Sequence, residues 1–117
     1  MFTDVARVVR ASQLADSELD DAPLDPAQVV DGTPEVRVLE LHDADDLGIG
    51  VWQHGAGVST DVEADEVFVV LSGRATVAVD GGPTLELCPG DVGLLPAGAR
   101  TTWTVHETLR KIYVVRP

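Results

Sequence analysis

Hydrophobic and polar positions between residues 64 and 98 form short apolar runs, each of which ends at glycine, proline or aspartate. The runs are rich in valine and leucine, and the turn residues follow them at 72–73, 80–83, 89–91 and 96–98. Short β-branched runs at a spacing of about ten residues, closed by turn residues, are typical of an antiparallel sandwich or barrel. The pattern therefore predicts that this stretch is the frame of an all-β domain.

The segments on both sides of this frame extend the same pattern. Further strands are predicted at residues 35–41, 47–54, 100–105 and 109–115. A loop is expected at residues 55–61, and a turn or bulge at residues 106–108. In total we predict roughly eight to ten strands and no long helix, which indicates a jelly roll or a small barrel.

The first 31 residues differ from the rest of the chain. Residues 2–10 alternate loosely and are expected to form a first strand or an arm, and an acidic loop follows. Asp25 and Pro26 favour a short helical turn, as its N-cap and its first residue. We therefore divide the chain into an N-terminal arm and acidic loop over residues 1–31 and a β-barrel over residues 32–117.

Composition narrows the class of protein. The chain has 117 residues, 44% of them hydrophobic, which suits one globular domain. Its single cysteine, Cys88, rules out an internal disulfide and suits a reducing compartment, and we expect this thiol to be buried at a strand end. Since no apolar run has the length of a signal peptide or a membrane helix, we predict a cytoplasmic protein without a membrane partner.

The formal net charge of −12 excludes another class of partner. Nucleic-acid phosphates are repelled by a strongly acidic surface, so we predict no nucleic-acid partner. Many of the acidic residues lie at residues 16–25 and 43–46, where we expect them to be solvated and to favour solubility.

Two spacings of functional residue types carry a resemblance to a known family. Glu66 is followed by six residues and then Gly73, and Gly90 is followed by five residues and then the Pro-x-Gly sequence at 96–98. Together with the Pro-Gly-Asp turn at 89–91, they resemble the two motifs of the cupin superfamily. The resemblance covers about residues 32–115. It implies a cupin jelly-roll barrel, also called a double-stranded β-helix, in a single domain.

Four shorter features resemble one branch of small single-domain cupins, that of the (S)-ureidoglycine aminohydrolases and ethanolamine-utilisation cupins. They are Gly50-Val51-Trp52, the pair Asp65-Glu66 ahead of Phe68, Pro96-x-Gly98 with Trp103 beyond it, and Arg110-Lys111-x-Tyr113. This resemblance implies a small nitrogen-containing or carboxylated metabolite as ligand. It also implies a hydrolase, lyase or isomerase step.

The chain departs from the metal-binding cupins at their ligand positions. Those proteins place two histidines, as His-x-His, shortly before the glutamate of the first motif. This chain has Thr60 and Val62 at those positions, or Ser59 and Asp61 if the spacing is one residue longer, and Thr101 at the fourth position. Transition metals of this class prefer imidazole or several carboxylates. We therefore predict no metal cofactor.

Glu66 is the predicted catalytic residue. In the cupin frame it points into the barrel, where apolar walls destabilise a carboxylate and raise its pKa toward the range of a general acid or base. The alternative is a structural carboxylate hydrogen-bonded to a neighbouring strand. A second alternative is a rebuilt divalent-metal site formed by His54, Asp61 and Glu66.

The other candidate site residues are predicted to bind the ligand. Trp52 and Trp103 are suited to wall a cavity, or else they are plain core residues. His54 lies on the face of Trp52 and is either a polar contact to the ligand or exposed at a strand end. Lys111 and Tyr113 share a face of the last strand, and if that face is internal, Lys111 neutralises the catalytic glutamate or a substrate carboxylate.

Two functions remain open from the sequence. One is a small-molecule enzyme, and the other is a non-catalytic ligand-binding or sensing module that keeps the cavity without the metal. We also expect a homodimer in which the N-terminal arm or an edge strand covers an open sheet edge of the partner.

Overall fold

Nine antiparallel strands form one sheet in the computed structural model, which describes residues 5–117. In chain order they are β1 (Asp20–Asp21), β2 (Val29–Asp31), β3 (Val36–Ala44), β4 (Leu47–His54), β5 (Gly57–Val62), β6 (Asp65–Val79), β7 (Thr84–Leu87), β8 (Val92–Leu95) and β9 (Arg100–Arg116). The helical segments are α1 (Ala11–Asp16) and a single 3₁₀ turn (Pro26–Gln28).

The long strands β6 and β9 pair along most of their length, from Asp65 opposite Arg116 to Val79 opposite Thr101. One half of this pair continues through β8 on one side and through β4 and β3 on the other. The other half continues through β7 on one side and through β5 and β2 on the other. The two halves curl into a jelly-roll barrel, which confirms the predicted fold class.

Alternation along the long strands places large apolar side chains between the two halves of the barrel. Phe68, Val77, Trp103 and Leu109 are each at most 3% exposed and belong to one continuous core. Gly93 on β8 lies directly against the ring of Phe68, and a Cβ added there would overlap the ring atoms. The core therefore depends on the absence of a side chain at residue 93.

The strand end predicted at residues 72–73 is wrong, because β6 continues through it. β9 likewise continues through residues 106–108, where the bulge, one of the two predicted alternatives, is confirmed by the register shift opposite Arg74. The register shifts between Val70 and Ala75, which is the signature of β-bulges. Gly73 has a φ of +91°, and its Cα lies so close to the Thr108 carbonyl that a Cβ would overlap it. Gly73 therefore does not end β6, and instead it allows the strand to bend while it stays paired with β9.

The loop predicted at residues 55–61 is also largely strand, because β5 begins at Gly57 and pairs with β9. By contrast, the strands predicted at residues 35–41 and 47–54 are confirmed as β3 and β4, which pair as a hairpin. Cys88 is exposed rather than buried, because it lies in a turn where its backbone N–H donates to the Asp91 carboxylate at 2.8 Å.

The N-terminal segment is attached to the barrel. Residues 5–10 form no strand, and the start of the predicted first strand lies outside the described residues. The turn at Pro26–Gln28 is confirmed, with the Asp25 carboxylate accepting from the Ala27 N–H at 2.9 Å. Within the stretch predicted as an arm and acidic loop, β1 pairs with β3 and β2 pairs with β5. No helix of the described chain is long and apolar enough to cross a membrane.

Arg110 of β9 fixes α1 to the outside of the sheet. Its guanidinium Nη1 donates to the carbonyl oxygens of Leu14, Ala15 and Ser17, each at 2.9 Å. These carbonyls lie at the end of the helix, where they have no partner within it. Leu14 is held against the buried Val51, so a second apolar cluster forms on the outer face of the sheet.

Candidate functional site

A cavity of about 220 Å³ opens on the inner face of the barrel. Its apolar walls include Val38, Trp52, Trp103 and Tyr113. The ring centroids of the two tryptophans are 5.4 Å apart, with their planes at 59°. The structure therefore brings Trp52, Trp103 and Tyr113 together at one cavity, as the period-two spacing of the strands allows.

An ion pair lies in the cavity wall. Lys111 Nζ donates to Glu66 Oε2 at 2.6 Å, and the two side chains are 5% and 12% exposed. The same nitrogen is 4.4 Å, 4.5 Å and 4.6 Å from the ring centroids of Trp52, Phe68 and Trp103. The faces of aromatic rings attract cations, so the rings and Glu66 together stabilise the buried ammonium group. The lysine-bearing face of β9 is therefore internal.

Glu63 is a cavity residue that the sequence analysis missed. Its Oε2 atom accepts a hydrogen bond from Thr101 Oγ1 at 2.6 Å and one from Trp103 Nε1 at 3.1 Å. The residue is only 8% exposed. The signal for it was present, because side chains that alternate along a strand place Ser59, Asp61 and residue 63 on one face. Thr101 therefore holds a carboxylate at the position where a metal-binding cupin has histidine.

Asp61 lies beside Glu63 on the same wall of the cavity. Asp61 is solvent-exposed as a residue, but partial burial of its carboxyl group raises its pKa, and repulsion from Glu63 raises it further. A hydrogen bond from the Val62 N–H and attraction to Lys111 act in the opposite direction on the same pKa. In the pairing of β5 with β9, Ser59 is opposite Trp103 and Asp61 is opposite Thr101, so the longer of the two motif spacings applies.

The structure places His54 behind the cavity wall rather than in it. The ring is fully buried, with Nδ1 donating to the Gly55 carbonyl at 2.6 Å and Nε2 accepting from Ser59 Oγ at 2.8 Å. Burial lowers the pKa of His54, the bond to Gly55 raises it, and repulsion from Lys111 lowers it again, with a net lowering. The predicted ligand contact is therefore replaced by a supporting role, in which a neutral imidazole orients Ser59.

The lowered pKa of His54 predicts a pH dependence of stability. Because the unfolded chain binds this proton more readily, stability is expected to be lost as the pH falls below 6.5. The slope is at most about 1.4 kcal/mol per pH unit for one group. Urea unfolding of the wild type and of His54→Gln, at about pH 7.5 and about pH 5.5, is the measurement. His54→Gln is expected to flatten the dependence, and replacing the exposed His106 by glutamine is expected to leave it unchanged.

Gly50 leaves the space that the Tyr113 side chain occupies at the cavity. A Cβ at Gly50 would lie 2.6 Å from the Tyr113 hydroxyl oxygen, so only glycine leaves room for this phenol. Burial raises the pKa of Tyr113, and the nearby carboxylates of Glu40, Asp43 and Glu66 raise it further. The phenol therefore keeps its proton at neutral pH and offers a hydrogen-bond donor.

The residues present do not fit the metal that many cupins hold. Across residues 5–117, no three His, Cys, Asp or Glu side chains form a group that would bind a metal ion. His54, Asp61 and Glu66 are therefore not arranged as the three-ligand alternative requires. The His54 nitrogens bind Gly55 and Ser59, and Glu66 binds the ammonium of Lys111.

Comparisons with known proteins agree with the fold. The family model described as the EutQ-like cupin domain matches residues 43–113. Among solved structures, a DUF861-family protein of unknown function from Pseudomonas syringae has a TM-score of 0.76 at 26% identity, over 86% of this chain and 45% of its own.

Two proteins described as EutQ are similar over most of their length. The putative protein Q from Salmonella typhimurium has a TM-score of 0.62 at 25% identity, over 71% of this chain and 70% of its own. The EutQ protein of Clostridium difficile has a TM-score of 0.65 at 20% identity, over 82% and 81%. No curated protein matches the sequence significantly. With the family model matching more than half of its residues, the chain belongs to the EutQ-like cupin domain family, within the cupin superfamily.

Proposed function

We propose that this chain binds a small metabolite in the barrel cavity and that Glu66 moves a proton to or from it. The observation that carries the proposal is the buried Glu66–Lys111 pair in the wall of a cavity of about 220 Å³. Cavities for drug-sized ligands usually measure about 300–1,000 Å³, so the ligand is a small metabolite. Such a compound would lie against Trp52 and Trp103.

The pair is suited to proton transfer because its two groups are close and largely out of water. Lys111 Nζ lies 2.6 Å from Glu66 Oε2, so the carboxylate that would accept a proton from a bound ligand has a hydrogen-bond donor directly beside it. When Glu66 has accepted a proton, the ammonium group of Lys111 can donate a hydrogen bond to the ligand instead. The resemblance to ureidoglycine aminohydrolases supports a nitrogen-containing or carboxylated ligand and a hydrolase, lyase or isomerase step.

A second candidate function is ligand binding or sensing without catalysis. It is favoured by the ligand positions of the metal-binding cupins, which hold Ser59, Asp61 and Thr101 here. We further propose a cytoplasmic homodimer. The cytoplasmic location is supported by the unpaired cysteine. The homodimer is supported by neighbouring apolar side chains that are exposed on the outer face of the sheet, namely Val69, Val92 and Leu94, which are 37%, 60% and 74% exposed.

The test combines a ligand screen with replacement of Glu66. Small amines, ureido compounds and carboxylates are screened by thermal shift and ligand-observed NMR, and compounds that bind are followed for conversion. Glu66→Gln is expected to lower turnover by about 10²-fold or more, while the dissociation constant changes only a few-fold. Glu18→Gln, an exposed glutamate, is the matched control.

Each result has a consequence for the proposal. Full turnover in Glu66→Gln would remove Glu66 from its role as the proton-transfer group. Binding without conversion of any bound compound would favour the sensing function. Should Glu66→Gln fail to fold, Glu66→Asp keeps the charge beside Lys111 and moves the carboxylate back, so the same comparison of turnover with binding applies.

A further inference from the structure

Glu63 is a buried carboxylate without a counter-ion. It is 8% exposed, and both hydrogen bonds to its side chain go to Oε2. Among residues 5–117, no lysine, arginine or histidine forms an ion pair with it. Its Oε1 atom accepts no hydrogen bond from any part of that range, and the side chain borders the cavity. No fully buried side-chain oxygen or nitrogen of the described residues lacks a hydrogen-bond partner, so the free Oε1 is an atom that reaches accessible space, where a cationic partner can bind it.

The charges around the cavity do not balance. Its lining contains three carboxylates, from Asp61, Glu63 and Glu66, and one ammonium, from Lys111. Three negative charges and one positive charge give a formal charge of −2, and Lys111 forms its ion pair with Glu66 while attracting Asp61 from a distance. The neighbouring His54 is neutral at pH 7 because its pKa is lowered. The two remaining carboxylates, Asp61 and Glu63, repel each other.

We infer that the ligand of this cavity is a small organic cation, an ammonium compound whose charged nitrogen lies against Glu63 and Asp61 and whose carbon atoms contact the tryptophans. The inference rests on the proposed function, since it names the ligand class of the same cavity. The sequence leaves two classes of ligand open, nitrogen-containing and carboxylated metabolites. The inference favours the first, because a carboxylated ligand without an ammonium group would be repelled by the unbalanced carboxylates.

Two further observations favour an organic cation over a metal ion. A divalent ion such as Ca²⁺ takes six to eight oxygen ligands in proteins. The described residues contain no group of three His, Cys, Asp or Glu side chains that would bind such an ion. The walls formed by Trp52 and Trp103 instead offer apolar surface that buries the carbon atoms of an organic ion.

The direct test uses three probes of nearly equal size that differ in charge, namely n-propylammonium, 1-propanol and propionate. Binding to the full chain is measured by isothermal titration calorimetry and ligand-observed NMR. We expect n-propylammonium to bind about 10-fold more tightly than 1-propanol, and propionate to bind more weakly than either. Glu63→Gln keeps the acceptor for Thr101 and is expected to remove this preference, whereas the exposed Glu86→Gln is expected to preserve it.

The outcomes distinguish this inference from the proposed function. Equal affinity for all three probes, or tighter binding of propionate, would overturn the charge assignment and leave a small-molecule cavity. Binding of Zn²⁺, Mg²⁺ or Ca²⁺ without binding of n-propylammonium would overturn it in favour of a metal. If neither these probes nor any compound of the wider screen binds, both this inference and the proposed function fail.

The ligand-free protein offers an independent readout. A carboxyl group with a raised pKa destabilises the folded state when it is ionised, and this penalty is absent below 3.8, where the group is protonated in both states. Asp61→Asn is therefore expected to raise the Tm at pH 7 by about 1–3 °C. The gain is expected to shrink as the pH falls, and saturating n-propylammonium is expected to cancel it. A Tm that falls in Asp61→Asn would contradict the like-charge repulsion on which the inference depends.

Discussion

Replacing Lys111 with methionine is expected to lower the free energy of unfolding by about 3–5 kcal/mol. The change leaves the carboxylate of Glu66, 12% exposed, without its partner and removes the ammonium from between three aromatic rings. Methionine has a similar length and fills the same space, so the effect reports on charge rather than on a cavity. Urea unfolding followed by circular dichroism is the measurement.

Two further variants show whether the loss comes from the uncompensated charge. Combining Lys111→Met with Glu66→Leu removes both charges and is expected to restore most of the stability, because a buried pair contributes little relative to apolar side chains. Arg74→Met breaks the exposed Arg74–Glu107 pair, whose atoms are 3.9 Å apart, and is expected to cost less than about 1 kcal/mol. A Lys111→Met variant as stable as Arg74→Met would show that Glu66 tolerates burial alone.

Replacing Gly93 with alanine is expected to cost about 3 kcal/mol or more. The added Cβ would overlap the ring of Phe68, which is 1% exposed and packed on all sides. Gly93 does not have a positive φ, so the cost comes from packing and not from the backbone conformation. Thermal and urea unfolding give the loss of stability.

Shortening Phe68, the residue that the added Cβ would overlap, tests whether this clash causes the loss of stability. Phe68→Leu shortens the side chain that the new Cβ meets, so Gly93→Ala is expected to cost much less in a Phe68→Leu background. Gly81→Ala is the control, because residue 81 has a φ of +69° and no atom within 4 Å of an added Cβ. It is expected to cost about 1–2 kcal/mol for the backbone alone. Additive effects of Gly93→Ala and Phe68→Leu would mean that the clash is relieved elsewhere.

The frame of the barrel follows from the sequence because its signals are local. Alternation over residues 35–54 is enough for the β3–β4 hairpin, and Asp25 with Pro26 is enough for the 3₁₀ turn. The same local signals mislead at Gly73, since a glycine after an apolar run has the same composition in a turn and in a bulge. Only pairing with β9, which is distant in sequence, makes it a bend.

Part of the candidate site could likewise be predicted from spacing along the strands, and part depends on contacts between residues that the spacing does not reveal. Glu66, Trp52, Trp103, Lys111 and Tyr113 meet at one cavity because their spacing along the strands puts them on the inner face. His54 shares that alternation, but its ring turns to Ser59 and the Gly55 carbonyl, which no spacing reveals. Glu63 was missed because it directly follows β5, which was predicted as a loop, so the alternation that leads to residue 63 was not read.

Lys111 is the only lysine among the 117 residues of the chain, and its side chain is 5% exposed inside the barrel. The folded chain therefore presents no lysine on its surface to an amine-acylating reagent. A reagent must enter the cavity to acylate Lys111, so at low reagent concentration the rate of acylation is proportional to the fraction of time for which the cavity admits a molecule of that size. Lys111, which forms the ion pair with Glu66, is thus also a natural chemical probe of how accessible the cavity is to ligands.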